Sequence, residues 1–179
     1  GMYHKQKLVP FGEYVPLQGL LRGLIGFFDL PMSSFTPGPE QQAPLVANGM
    51  KITPYICYEV AYPDFVAFNA RNTDLLLTIS NDGWFGDSIG PLQHLQLARM
   101  RALETGRYML RGTNNGVTAI INHKGEITER IPQFERAVLT GEVFTATGST
   151  PYMRTGSWPV LTLAIILIVF IRERVIPKN

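Results

Sequence analysis

Seventeen consecutive residues near the C-terminal end, 155–171, carry no charge, and within them residues 158–171 (WPVLTLAIILIVFI) are almost wholly aliphatic. No other segment limits the folding of the chain so strongly, because a surface of this kind has to leave water. A helix that crosses a bilayer needs roughly 17–25 residues, so the run sits at the short limit. Burial as a core strand or helix is the alternative. Trp158 at its start, apolar character on every face, and Arg172, Arg174 and Lys178 just beyond it favour the membrane. The basic end is then cytoplasmic and residues 1–154 lie outside. The expected organisation is a domain over 1–154, a transmembrane helix over 155–172 and a cytoplasmic tail over 173–179.

The opposite end has no apolar core or small-residue cleavage site of a signal peptide. It passes at once into Leu8-Val9-Pro10-Phe11-Gly12-Glu13, a motif-like stretch typical of a fold interior, and reads as the C-terminal part of something longer. A chain of 179 residues suffices for one ordinary domain with a core. Its net charge of +2 gives no basic field for nucleic acid. A single cysteine, Cys57, excludes a disulfide framework and a cysteine-rich zinc site. His4, His94 and His123 are too scattered for a ligand cluster, and neither metal nor cofactor is expected.

Residues 17–28 form a Gly-broken apolar piece suited either to core packing or to lying on a bilayer. From residue 50 the pattern is regular. Strands are expected over 51–56, 74–80, 108–113, 116–122, 127–130 and 137–144, with a turn at His123-Lys124-Gly125-Glu126. Helices are expected over 62–72 and 91–105, the second with Leu92, Leu95, Ala98 and Ala102 at helical spacing. Strand, helix, strand, helix, then several strands describes a layered α/β domain.

Cys57 closes a strand, where a sharp turn into a helix lifts a nucleophile clear of the sheet and offers backbone N–H groups to an oxyanion. An inert buried thiol is the alternative. Lys5 and Lys7 stand near Glu13 in apolar surroundings, and a lysine beside a thiolate stabilises it and later binds a developing oxyanion. Glu13 and Glu59 suit a base, an orienting partner or a plain ion pair. Asn81, Trp84 and Phe85 lie in a loop after a buried strand, a position that often lines a site.

Taken together these pieces are more specific. Tyr3-x-Lys5-x-x-Leu8-x-Pro10-Phe11-Gly12-Glu13, Ile56-Cys57-Tyr58-Glu59 and Ser80-Asn81-Asp82-x-Trp84-Phe85-Gly86 resemble the nitrilase superfamily. Within it they resemble the bacterial inner-membrane family that N-acylates lipoproteins. The likeness extends through Gly90-Pro91-Leu92-Gln93-His94, Thr113-Asn114-Asn115-Gly116 and Thr150-Pro151-Tyr152 to the final apolar run.

The resemblance implies an α-β-β-α sandwich with a Glu-Lys-Cys triad. Cys57 matches the nucleophile and Lys5, rather than Lys7, the lysine; Glu13, Tyr58 and Glu59 match further residues of the family. The triad glutamate belongs upstream of residue 1. The implied reaction takes an acyl chain from a phospholipid, typically phosphatidylethanolamine, as a cysteine thioester. It then passes the chain to the α-amine of a diacylglyceryl-cysteine lipoprotein, with the catalytic domain periplasmic. A nitrilase-like amidase using the same Cys57 and Lys5, or a non-catalytic membrane-anchored module, are the competing readings.

Overall fold

The computed structural model describes residues 1–17 and 35–175. Most of the apolar piece at 17–28 and the end of the tail, including Lys178, lie outside the described residues.

Six strands form one mixed sheet in the order β1 to β6. They are β1 (Leu45–Ala47), β2 (Met50–Ile56), β3 (Leu75–Ser80), β4 (Met109–Thr113), β5 (Thr118–Ile121) and β6 (Ile127–Ile131). β2, β3 and β4 run parallel, while β1, β5 and β6 attach antiparallel. The parallel steps need crossovers. Helix α1 (Pro63–Asn69) carries the chain from β2 to β3, and α2 (Gly90–Thr105) carries it from β3 to β4. Two short hydrogen-bonded turns, Cys57–Ala61 and Asp82–Phe85, follow β2 and β3 directly. The parallel register (Ile56 beside Ile79, Ser80 beside Thr113) therefore gathers Cys57, Asn81 and Asn114 at one edge. Ligands of open α/β sheets bind at that edge, outside the carboxyl ends of the strands.

Alternation along the strands sorts the core onto two faces. Tyr55, Leu76, Met109, Ala119 and Ile121 pack against Val66, Ala67, Leu95, Ala98 and Ala102 of the helices. Leu75, Tyr108 and Ile120 point the other way, with Leu139 and Val143 against them. On α2 the buried positions are Pro91, His94, Leu95, Ala98, Arg101, Ala102 and Thr105. That is one stripe at helical spacing, and two of its members are basic. Leu92, expected on it, is 45% exposed on the other side. Gly106, at φ +61°, ends the helix in the left-handed conformation that glycine takes without strain.

Two strand expectations need correction. β1 is an additional edge strand, joined to β2 through Asn48 and Gly49 at φ +49° and +76°, the geometry of a tight hairpin turn. Residues 137–144 form no strand; they lie against the sheet by side-chain packing, with Gly141 close against Ile120 and Glu129.

The C-terminal run also departs from expectation. A short helix, α3 (Pro151–Thr155), is capped by the Thr150 hydroxyl and closed by Gly156 at φ +58°. Helix α4 (Trp158–Val175) therefore starts three residues later than the uncharged run does and ends among Arg172, Glu173 and Arg174. Its apolar part, 158–171, gives about 21 Å of helix against a hydrocarbon core of roughly 30 Å. Among the described residues, no helix is long and apolar enough to cross a membrane. Val160, Leu163, Ile165, Ile168 and Ile171 are all exposed. Its base is nonetheless fixed: Asp64 accepts hydrogen bonds from Ser157 N, Ser157 Oγ and the Tyr152 hydroxyl at 2.9–3.0 Å.

Candidate active site

Cys57 sits at φ +52°, in the left-handed region that a residue with a Cβ enters at a cost of roughly 1–2 kcal/mol. A residue held there is over-determined by its surroundings. One constraint is Glu59, two residues on. Its fully buried carboxylate accepts a hydrogen bond from Ile56 N at 2.7 Å, closing the turn around Cys57. The same carboxylate accepts Gln6 N at 2.6 Å, Lys7 N at 3.1 Å and the Tyr3 hydroxyl at 3.0 and 3.1 Å. Burial, reinforced by the Glu59 charge, drives the Tyr3 phenol well above its ordinary range, so it remains a donor. Glu59 thus joins residues 3–7 to the cysteine turn, and its lone pairs are engaged in holding backbone.

Residues 3–7 are fixed from the other side as well. Gln42 exchanges hydrogen bonds with the backbone of His4 at 2.7 and 2.8 Å, and Gly38 N donates to Lys5 O at 2.7 Å. The two lysines of this segment face different partners. Lys5 Nζ lies 2.6 and 2.7 Å from the two Glu13 carboxylate oxygens and is largely shielded from solvent. Glu13 is oriented in turn by Val9 N at 2.9 Å. Lys7 Nζ lies over the rings of Phe65 and Tyr62, 5.3 and 5.9 Å from their centroids, a cation–π arrangement. Tyr58, half-buried, packs edge-to-face on Tyr62 at 5.2 Å. An open cleft of about 320 Å³ lies beside this group, lined by Lys7, Leu8, Tyr14, Phe35, Pro37 and Tyr62 among others.

The loop after β3 divides by role. Asn81 Oδ1 accepts Gly83 N at 3.1 Å and Asn114 Nδ2 at 2.5 Å, which shapes the turn. Trp84 is 85% exposed, while the Phe85 ring meets the His94 ring edge-on at 6.2 Å. Asp82 between them is buried, and sequence reasoning passed over it along with His94 and Arg111. Asp82 Oδ1 accepts the Ser80 hydroxyl at 2.6 Å and faces His94 Nδ1 at 2.9 Å; Oδ2 accepts Arg111 Nη2 at 2.6 Å. Burial pushes the Asp82 carboxyl upward, yet the His94 and Ser80 hydrogen bonds and the Arg111 charge outweigh it and hold it below the usual carboxylate range. His94 Nε2 lies 3.0 Å from the Cys57 carbonyl oxygen. The usable signal for these residues was a polar position on the buried stripe of α2. Among the described residues, no group of three or more His, Cys, Asp or Glu is arranged to hold a metal ion.

A half-buried thiol on a strained strand-to-helix turn therefore stands beside a segment that carries a lysine–glutamate pair. Residues 1–152 match the carbon–nitrogen hydrolase family, and the chain belongs to it. It is similar to apolipoprotein N-acyltransferase of Azotobacter vinelandii, with 67% identity over 94% of this chain and 33% of that protein. The enzyme of the same name from Vibrio parahaemolyticus is 54% identical over 88% of this chain and 32% of its own length. The chain thus spans about a third of the length of these relatives. Among solved structures, the fold is shared with the Caenorhabditis elegans NitFhit protein, at TM-score 0.56 and 19% identity over 89% of this chain and 37% of that one. It is also shared with a nitrilase-superfamily amidase from Nesterenkonia AN1, at TM-score 0.52 and 20% identity over 73% of this chain and 50% of that one.

Proposed function

We propose that this chain carries the nucleophile and the oxyanion-binding lysine of an apolipoprotein N-acyltransferase. The observation that carries the reading is the single buried carboxylate, Glu59, that binds the Cys57 turn and the backbone of residues 6 and 7 at once. It couples the thiol to the segment bearing Lys5. The 67% identity to a protein of that name supports the substrate class.

In this reading the Cys57 thiolate attacks the acyl carbonyl of a phospholipid such as phosphatidylethanolamine. The Lys5 ammonium, held by Glu13, binds the oxyanion. The C–O bond breaks, the lysophospholipid alkoxide leaves with a proton, and a thioester remains on Cys57. The α-amine of a diacylglyceryl-cysteine lipoprotein then attacks the thioester. Its lost proton passes to the base, the C–S bond breaks, and the amide leaves with the thiol restored. The general base is a glutamate from the portion of the relatives that this chain does not cover, because Glu59 is committed to backbone donors. That portion also supplies the second sheet of an α-β-β-α sandwich, against the face where Ile79 is half exposed. The bilayer is that of the bacterial inner membrane, with the domain on the periplasmic side and α4 embedded as a short span, its Arg172 reaching the cytoplasmic interface.

The test is the intact mass of the full-length protein after incubation with phosphatidylethanolamine. An acyl adduct on Cys57, absent in Cys57→Ala and discharged by a diacylglyceryl-cysteine peptide, is the expected result. Discharge by water at the same rate would favour an amidase.

A further inference from the structure

The Cys57 turn is braced from beneath by charged groups that the acyl-transfer chemistry above does not use. His94 Nε2 faces the Cys57 carbonyl oxygen at 3.0 Å, and His94 Nδ1 faces Asp82 Oδ1 at 2.9 Å. A carbonyl oxygen accepts only, and so does an ionised carboxylate. A ring that donates to both carries a proton on each nitrogen. Every group packed on the ring fits that state. Asp82 comes from the turn after β3, the Ser80 hydroxyl from β3 donates to the same carboxylate, and Arg111 from β4 pairs with its other oxygen. The Phe85 ring covers one edge. Asp82 has no exposed side-chain surface, Arg111 has none either, and His94 is almost fully enclosed.

We propose that His94 is a positioning residue for the nucleophile: as an imidazolium oriented by Asp82, it clamps the Cys57 carbonyl in the left-handed turn and places a positive charge behind the thiol. Two cations, His94 and Arg111, share the Asp82 carboxylate, while the buried Glu59 carboxylate is bonded to the backbone of the same turn. The Arg111 guanidinium is close enough for its charge and that of Cys57 to interact. Its Nη1 is buried without a hydrogen-bond partner among the described residues, as is the Thr78 hydroxyl on the register-paired strand. A positive field of this kind favours thiolate over thiol, and the thiolate is the nucleophile. The clamp contributes a second effect, since the strained turn keeps its geometry only while something holds the carbonyl.

The inference rests on Cys57 being the nucleophile, but its test does not require a lipid substrate. In the full-length protein, the rate of Cys57 alkylation by iodoacetamide is followed from pH 5 to 9 for the parent and for His94→Gln. Glutamine keeps a donor able to reach the carbonyl and similar bulk, and removes the charge. The expected result is a folded variant with an alkylation rate at pH 7 lowered about tenfold and a profile displaced to higher pH. A folded His94→Gln protein whose profile superimposes on the parent's, or which reacts faster, overturns the proposal. If that variant does not fold, ¹⁵N NMR of the histidine-labelled parent decides. One ring protonated on both nitrogens at pH 7 and lost in His94→Asn supports the assignment; no such ring overturns it. If the parent forms no acyl adduct while His94→Gln still displaces the alkylation profile, the lipid reading falls and this one stands.

Discussion

The Tyr3 hydroxyl donates to both carboxylate oxygens of Glu59, at 3.1 and 3.0 Å, across 56 residues of chain. With Gln6 N, Lys7 N and Ile56 N on the same buried carboxylate, Glu59 collects four donors and, among the described residues, no cation. Glu59→Ala leaves those donors buried and unpaired, at about 1–3 kcal/mol for each that water cannot reach. It should lower the melting temperature of the protein by many degrees. Tyr3→Phe removes one neutral donor and should cost about 1 kcal/mol. If Glu59→Ala melts with the parent, Glu59 is not the link between the lysine segment and the cysteine turn.

The two lysines separate in a different assay. Lys5, paired with Glu13, should lower turnover by about 10²–10³ when changed to alanine, the usual loss for one oxyanion donor. Lys7 lies on the Tyr62 and Phe65 rings. Its loss should cost about 0.5–1 kcal/mol of stability and little turnover. Steady-state acyl transfer by both variants checks the ranking, and the reverse order would move the catalytic lysine to position 7.

Much of this was legible before the fold was known, and the failures have identifiable causes. The short apolar run at 74–80 and the strand into Cys57 were readable because parallel strands, covered on both faces, are continuous hydrophobic runs. β1 was missed because a three-residue edge strand has no periodicity to detect; only Asn48-Gly49 betrays its hairpin. Residues 137–144 alternate like a strand and bury Leu139 and Val143, but without ladder hydrogen bonds. His94 was hidden by its own helix, since a histidine on an apolar stripe reads as a packing residue until Asp82 and the Cys57 carbonyl are seen at its two nitrogens. Glu59 was placed beside Cys57 by the motif, but its grip on residues 3–7 is a long-range contact that no local pattern encodes.

Asp82 predicts a pH dependence of stability. Its folded-state carboxyl is depressed, so its contribution is complete above the ordinary carboxylate value of about 3.9 and is lost as pH falls below that. Glu104 has the opposite sign: burial raises it despite Arg101, so lowering the pH relieves a cost there. Unfolding free energy measured from pH 6 down to 2 should fall more steeply in the parent than in Asp82→Asn. Parallel slopes would mean that Asp82 is not ionised against Arg111 in the folded protein.

Two glycines should respond differently to alanine. At Gly116 an added Cβ would overlap the Asp82 carboxylate, so Gly116→Ala must displace the group that orients His94. About 1–3 kcal/mol of stability should be lost, and thiol reactivity with it. Gly49, at φ +76°, has nothing within 4 Å of the new Cβ, so Gly49→Ala carries only backbone strain of roughly 1–2 kcal/mol and should leave Cys57 reactivity unchanged. Equal effects of both on alkylation would break the proposed connection from Asp82 to the nucleophile.

Helix α4 carries the last prediction. Its apolar stretch is about 21 Å long, some 9 Å short of the hydrocarbon thickness, and its side chains are exposed along the whole stretch. In water that surface would be an aggregation liability; in a bilayer the mismatch is relieved by local thinning and by Arg172 extending to the headgroups. Ile166 lies near the middle of the stretch, so Ile166→Lys should cost roughly 2.5–3.5 kcal/mol of insertion, where the same change on a water-exposed helix would fall within about 0.5 kcal/mol. A tag after Asn179 should be protected from protease in right-side-out spheroplasts of cells making the full-length protein, and Ile166→Lys should reduce the protected fraction. Complete digestion of the tag in the parent would mean that α4 lies along the periplasmic surface and does not span.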